Sequence, residues 1–256
     1  AAVTNMTAGY TLGVSDEMAN LAVGATINAN LTAVVADDAD VKITVSDTTI
    51  DAQPLAVVTA STAGSVTITN AAAISGEYTE VLASLVTDAV TLGAASTSVV
   101  SDVVTAAQGQ SIAAVTNMTA GYTLGVSDEI GNLSDGTINA NLTAVVGDDD
   151  DVKITITDAG TQANIDIVLD ATSGTVTTAQ LVAGTYSNMA AGDKMASGLT
   201  FAASTSTESA DDTDLTWAFA GSTLTFETQA DASANVAVVL TGINSVTETG
   251  GVFTFG

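Results

Sequence analysis

The chain has 256 residues, 46% of them hydrophobic, and sets 29 acidic side chains against 3 lysines with no histidine, for a formal charge of −26. That much apolar side chain can bury a core and excludes a disordered polyampholyte, while so acidic a surface repels nucleic-acid phosphate and anionic membranes and attracts cations. Without cysteine there are no disulfides or thiolate metal sites, and without histidine as well the common general base and the common thiol nucleophile are missing.

One stretch organises everything else. Residues 1–17, AAVTNMTAGYTLGVSDE, recur letter for letter at 113–129, and TINANLTAVVADDADVKITVSD (26–47) returns as TINANLTAVVGDDDDVKITITD (137–158). An internal duplication is the first thing a fold reading has to accommodate.

In chain order, AGYTLGVSD (8–16) predicts a short strand with Tyr10, Leu12 and Val14 on one face, followed by a short helix in EMANLAV. An acidic turn at 36–40 leads into a strand over 41–47, with Val41, Ile43 and Val45 alternating. Asp51 is the expected N-cap of a helix carrying Pro54, the one proline, in its first turn. A strand follows at 65–69. Residues 75–88 predict a helix with Ser75 as N-cap and an apolar stripe of Tyr78, Val81, Leu82, Leu85 and Val86. Strands are expected at 89–93 and 97–102, then a helix over 103–118. Past the second copy, 165–170 and 175–180 read as strands and 183–198 as loop or short helix. From residue 199 the strand signals crowd together, Gly221-Ser222 makes a hairpin turn, and all five phenylalanines (Phe201, Phe219, Phe226, Phe253, Phe255) sit with Trp217 as an aromatic core.

These signals describe a β-rich mixed α/β chain: repeat unit 1 over 1–112, repeat unit 2 over 113–198 diverging after 158, and an antiparallel β domain over 199–256. A solenoid-like strand–helix array accounts for the first two, with tandem β-sandwiches as the alternative. Because its first copy lacks the helix expected ahead of AAVTNM in the second, the array opens on an incomplete unit. An enzyme is not expected, since Lys42 and Lys153 read as ion-paired surface residues and the carboxylates recur with the repeat.

Calcium takes six to eight oxygens, often from acidic loops. Three sets qualify: Asp37, Asp38 and Asp40 with their counterparts Asp148, Asp149, Asp150 and Asp151; Asp16, Glu17 and Asn20 with Asp128, Glu129 and Asn132; and Asp211, Asp212 and Asp214. Adjacent carboxylates repel one another without a cation, so Ca²⁺ is the expected bound ion.

The segments YTLGVSDEMANL and YTLGVSDEIGNL resemble units of repetitive extracellular surface proteins of cyanobacteria and marine bacteria. The ending VAVVLTGINSVTETGGVFTF resembles the C-terminal strands of type I-secreted surface-layer proteins and adhesins. The resemblance implies an extracellular, non-enzymatic, calcium-dependent structural role, although the glycine-rich GGxGxD motif of such proteins is missing. The resulting expectation is a secreted protein that stacks end to end with itself into a filament, surface layer or matrix, binding neither nucleic acid nor anionic membrane. The alternative is a monomeric adhesin or stalk that binds a surface ligand.

Overall fold

The computed structural model describes residues 9–86, 90–180, 182–197, 203–204, 216–227 and 235–256. Within these the chain is mixed α/β, with eight helices, several parallel and antiparallel sheets and no closed barrel. It divides into two compact units. One holds the residues up to Val104 with Gln108–Leu124, the other Thr105–Ala107 with Gly125–Gly256.

The first unit opens with β1 (Val14–Asp16), α1 (Met18–Leu21), a small antiparallel ribbon of β2 (Ala22–Val23) and β3 (Thr26–Ile27), and α2 (Ala29–Asp37). The chain then follows one plan three times. β4 (Ile43–Val45) turns into β5 (Thr49–Asp51) and α3 (Ala52–Ser61). β6 (Val66–Ile68) turns into β7 (Ala73–Gly76) and α4 (Tyr78–Leu85). β8 (Val90–Thr91) turns into β9 (Ser96–Val100) and α5 (Ala106–Ala113), and β10 (Met118–Tyr122) follows.

The leading strands form one all-parallel sheet, β1-β4-β6-β8, and the following strands another, β5-β7-β9-β10. Val14 lies opposite Ile43, Ile43 opposite Val66 and Val66 opposite Val90. In the other sheet Thr49 lies opposite Ala73, Ala73 opposite Thr97 and Thr97 opposite Thr119. Parallel pairing needs a crossover of about a dozen residues or more, and the helix between successive partners provides it. Val and Ile alternate with Thr, so Ile43, Val45, Val66 and Ile68 are buried while Thr44 and Thr67 stay half-exposed. Asp51 caps α3 as expected, its carboxylate accepting from the Gln53 N–H at 3.0 Å. α3 buries Leu55 and Val58 and packs on α4, β7 and the β2–β3 ribbon, each side chain contributing about 1.5–3 kcal/mol.

In the second unit β11 (Val126–Asp128), α6 (Ile130–Leu133), α7 (Ala140–Asp148), β12 (Ile154–Ile156), α8 (Gln162–Ala171) and β13 (Val176–Thr178) run in the same order as their counterparts. Then come β14 (Gly184–Tyr186), β15 (Lys194–Ala196), β16 (Ala203–Ser204), β17 (Thr216–Ala220), β18 (Thr223–Glu227), β19 (Asn235–Leu240), β20 (Val246–Thr249) and β21 (Val252–Phe255). One sheet runs β11-β12-β13-β15 in parallel and is extended antiparallel by β21 and β20; the other runs β14-β19-β18-β17-β16. Trp217 stands edge-on to Phe253, ring centroids 5.4 Å apart, with Phe226 5.7 Å from Phe253 on another side. Trp217, Phe226, Phe253 and Phe255 are buried as expected, whereas Phe219 is half-exposed and Phe201 lies outside the described residues.

Several expectations fail for identifiable reasons. Tyr10, Leu12 and Val14 do not share a strand face. The Gly13 N–H closes a turn on the Tyr10 carbonyl at 2.8 Å, Leu12 at its tip is 99% exposed, and only Val14–Asp16 pair. α4 starts at Tyr78, because Glu77 and Glu80 form a capping box, and Ser75 remains in β7. The helix expected over 103–118 ends at Ala113, and Met118–Tyr122 pair with β9 as β10. Residues 165–170 are helix: Ile165, Val168 and Leu169 are buried at i, i+3 and i+4, and Thr161 caps the start. Residues 183–198 contain strands β14 and β15. The tail does not form a sheet of its own, since β21 pairs with β15 and β19 with β14, though the Gly221-Ser222 hairpin forms as read.

Candidate functional site

The feature that recurs through both units is a carboxylate at the last residue of a strand or two residues beyond it. Asp16, Asp47, Asp102, Asp128 and Asp158 each follow Val or Ile and then Ser or Thr. A helix start leaves backbone N–H groups without intrahelical partners. Here the partner comes from elsewhere in the unit. The Met18 N–H donates to Asp47 Oδ2 at 2.7 Å, the Tyr78 N–H to Asp102 Oδ1 at 2.6 Å, the Ala106 N–H to Asp128 Oδ2 at 3.0 Å and the Ile130 N–H to Asp158 Oδ1 at 2.7 Å. Each bond joins residues 22–29 positions apart. Negative charge there also suits the positive end of a helix, although α1 and α6 are single turns and gain little from it.

Asp128 does a second thing, which its counterpart Asp16 shares. Asp16 Oδ1 accepts from the Glu17 N–H at 2.9 Å and from Asn20 Nδ2 at 2.7 Å; Asp128 Oδ1 accepts from the Glu129 N–H and Asn132 Nδ2 at the same distances. Each carboxylate lines a recess whose walls repeat between copies. In the first unit it is about 390 Å³, lined by Val14, Asp16, Asn20, Asn28, Asn30 and Val34 among others. In the second it is about 200 Å³ and lined by Asp128, Asn132, Asn139 and Asn141, with Thr105 and Ala107 forming part of the wall.

Other acids follow the same logic in the diverged part. Asp193 is buried and accepts from the Val176 N–H at 2.6 Å and the Ala190 N–H at 2.7 Å, burial pushing its carboxyl above the usual carboxylate range. Asp166 Oδ1 accepts from the Ser187 and Asn188 N–H groups.

The acids expected to hold calcium are distributed as follows. Asp37 ends α2 and Asp38 caps its C-terminus. Asp38 accepts from the Tyr10 N–H at 2.8 Å; that bond first, and a hydrogen bond with Asp40 second, hold its carboxyl below the usual range. Asp38 and Asp40 line a shallow recess with Tyr10 and Lys42. Asp148 ends α7, Asp149 caps it, and Asp150 and Asp151 form the turn, where the Asp150 carbonyl accepts from Ser173 and Thr172. Glu17 and Glu129 precede α1 and α6 as exposed N-cap residues. Asp211, Asp212 and Asp214 lie outside the described residues. Among the described residues no three acidic groups converge where one ion could be held. Lys42 and Lys153 are exposed, and no ion pair joins them to another described residue. The capping role of Asp47, Asp102 and Asp158 escaped the sequence reading, and the signal that reveals it is the recurrence of [Val/Ile]-[Ser/Thr]-Asp at strand ends.

No helix among the described residues is long and apolar enough to cross a membrane. Comparison with protein-family models, with curated proteins and with solved structures yields no match.

Proposed function

We propose that this chain is a secreted, non-enzymatic structural protein that assembles with itself into an extracellular filament, surface layer or matrix, stabilised by cations, with Ca²⁺ foremost. In this proposal the strand–helix units stack as a solenoid-like array. The observation that carries it is the recurrent carboxylate cap. Asp47 and its counterpart Asp158 satisfy the starts of α1 and α6 in the two copies, so these carboxylates serve the duplicated framework rather than chemistry. Such architectures build by adding like surfaces to like.

The cation reading rests on where the remaining acids lie. Asp37 and Asp38, and Asp148 and Asp149, stand at helix C-termini, where the helix dipole already presents partial negative charge and an anion is unfavourable by about 0.3–1 kcal/mol. A divalent cation relieves both that and the repulsion between neighbours.

Negative-stain microscopy of the purified chain after chelation, and again in millimolar Ca²⁺, tests the proposal. Ordered filaments or sheets that appear with Ca²⁺ support it in full. Assemblies in both states support self-assembly and reduce Ca²⁺ to a screening ion. Single particles in both states overturn it.

A further inference from the structure

The loop between α6 and α7 carries a feature that only the second copy has. It reads Ser134-Asp135-Gly136-Thr137 where the first copy has Ala22-Val23-Gly24-Ala25-Thr26, and Asp135 is the one aspartate in the chain followed by glycine. Asp135, Gly136 and Thr137 are exposed. Gly136 has φ of 75°, with open space beside its Cα. The loop folds back on itself: Ser134 bridges Ile138, and the Asp135 N–H donates to the Thr137 carbonyl at 3.1 Å. One further bond ties it to α8, the Gly136 N–H donating to Asn164 Oδ1 at 2.9 Å.

We propose that Asp135-Gly136 is a site of spontaneous backbone modification, where the aspartate converts through a cyclic imide to isoaspartate, and that Asn164 restrains the conversion. The Gly136 nitrogen attacks Cγ of the protonated Asp135 carboxyl. An N–Cγ bond forms, the amide proton and the carboxyl hydroxyl leave together as water, and a five-membered imide results. Water then opens the ring. Cleavage of the Cγ–N bond restores aspartate. Cleavage of the bond from the backbone carbonyl carbon to that nitrogen leaves the chain running through Cβ and Cγ. One water leaves and one returns, so the mass is unchanged. Glycine matters because no side chain shields the attacking nitrogen and the backbone turns at little steric cost. At every other aspartate a following side chain stands in the way. Asn164 opposes the reaction because its Oδ1 holds the N–H that must be given up. The product has one more carbon in its backbone, which carries the Gly136 N–H away from Asn164 and releases the loop from α8. None of this depends on assembly or on calcium.

The test is prolonged incubation of the full chain in neutral buffer at physiological temperature, followed by peptide mapping with mass spectrometry and by methylation with an isoaspartate-specific methyltransferase. Isoaspartate is expected at position 135, accumulating faster than at any other aspartate. Asp135→Glu keeps the charge but would need a six-membered ring, and should abolish the signal. Gly136→Ala should slow it several-fold. Asn164→Ala removes one hydrogen bond and should speed it several-fold. Circular dichroism checks that the Asn164→Ala chain is folded; if it is not, amide exchange at Gly136 decides, and it should be faster in the aged native chain than in the fresh one. No isoaspartate at 135, or an equal yield from the Asp135→Glu chain, overturns the modification site. Equal rates in the native and a folded Asn164→Ala chain, or unchanged exchange at Gly136 after ageing, overturn the part given to Asn164.

Discussion

Asp102 shows what a single carboxylate does in this protein. It sits after β9, is half-buried, and its Oδ1 lies 2.6 Å from the Tyr78 nitrogen at the start of α4. Removing it leaves that N–H with no acceptor in a partly dry site. Asp102→Ala should therefore destabilise the chain by about 1–2 kcal/mol, within the range of lost N-caps. Asp102→Asn keeps an acceptor and loses only the charge, so it should recover most of that. Urea midpoints rank the three proteins, and faster amide exchange at Tyr78 in the alanine variant localises the effect. Tyr186 makes a second residue-level case. Burial pushes its phenol from the ordinary 10.0 up to about 12, and its hydroxyl donates to the Val182 carbonyl at 3.0 Å. The folded state holds the proton more tightly than the unfolded chain, so the contribution is complete below pH 10 and drains away as pH rises through about 12. Alkaline unfolding should steepen across that window, and Tyr186→Phe should flatten it. Ultraviolet titration of the phenolate checks the window directly.

At the scale of elements, the entry to β1 and β11 depends on a glycine in the left-handed region. Gly13 and Gly125 have φ of 77° and 82°, and a Cβ at either would run into the carbonyl of Lys42 or Lys153. That carbonyl accepts the Val14 or Val126 N–H at 2.8 Å, so it cannot retreat without breaking the parallel pair. Gly125→Ala should cost at least about 2 kcal/mol, strain and clash together. Gly136, with φ of 75° and open space around it, is the internal control: Ala there should cost only about 1 kcal/mol, the left-handed penalty alone. Thermal denaturation separates the two. The elements legible in the sequence were those whose local signals agree with their packing. These include the Val41–Ile43–Val45 alternation, the Asp51 cap and the Gly221-Ser222 hairpin. Residues 165–170 misled because Ile and Val favour strands by propensity while their burial follows a helical period. Met118–Tyr122 misled because the strand forms only by pairing with β9, a partner that no local pattern announces. The acidic clusters were legible as clusters. That Asp47, Asp102 and Asp158 cap helices 24–29 residues away was not, because a cap from outside its own helix is visible only in the fold.

For the whole molecule the governing quantity is a charge of −26 set against three lysines. Some of this charge is tied to backbone N–H groups, as at Asp47, Asp102 and Asp158, and there it stabilises the fold. Other acids, such as Asp37, Asp40, Asp150 and Asp151, lie exposed at a helix C-terminus or in turns and act as self-repulsion, screened over roughly 8 Å at physiological ionic strength and over less in stronger salt. Raising NaCl should therefore raise the melting temperature smoothly, through long-range screening alone. If the cation proposal holds, Ca²⁺ does the same and in addition bridges neighbouring carboxylates, as along Asp148, Asp149, Asp150 and Asp151. At matched ionic strength CaCl₂ should thus shift the melting temperature further than NaCl, and replacing all four of these acids with Asn should remove much of that excess. A salt titration of the native chain and the four-Asn variant by differential scanning calorimetry measures both effects. Identical shifts with the two salts at matched ionic strength would mean that the acids act only as a diffuse field, and the preference for calcium in the proposed assembly would then be lost. A calcium excess that survives the four-Asn substitution would place the ion at other acids, with the Asp38–Asp40 turn as the next to test.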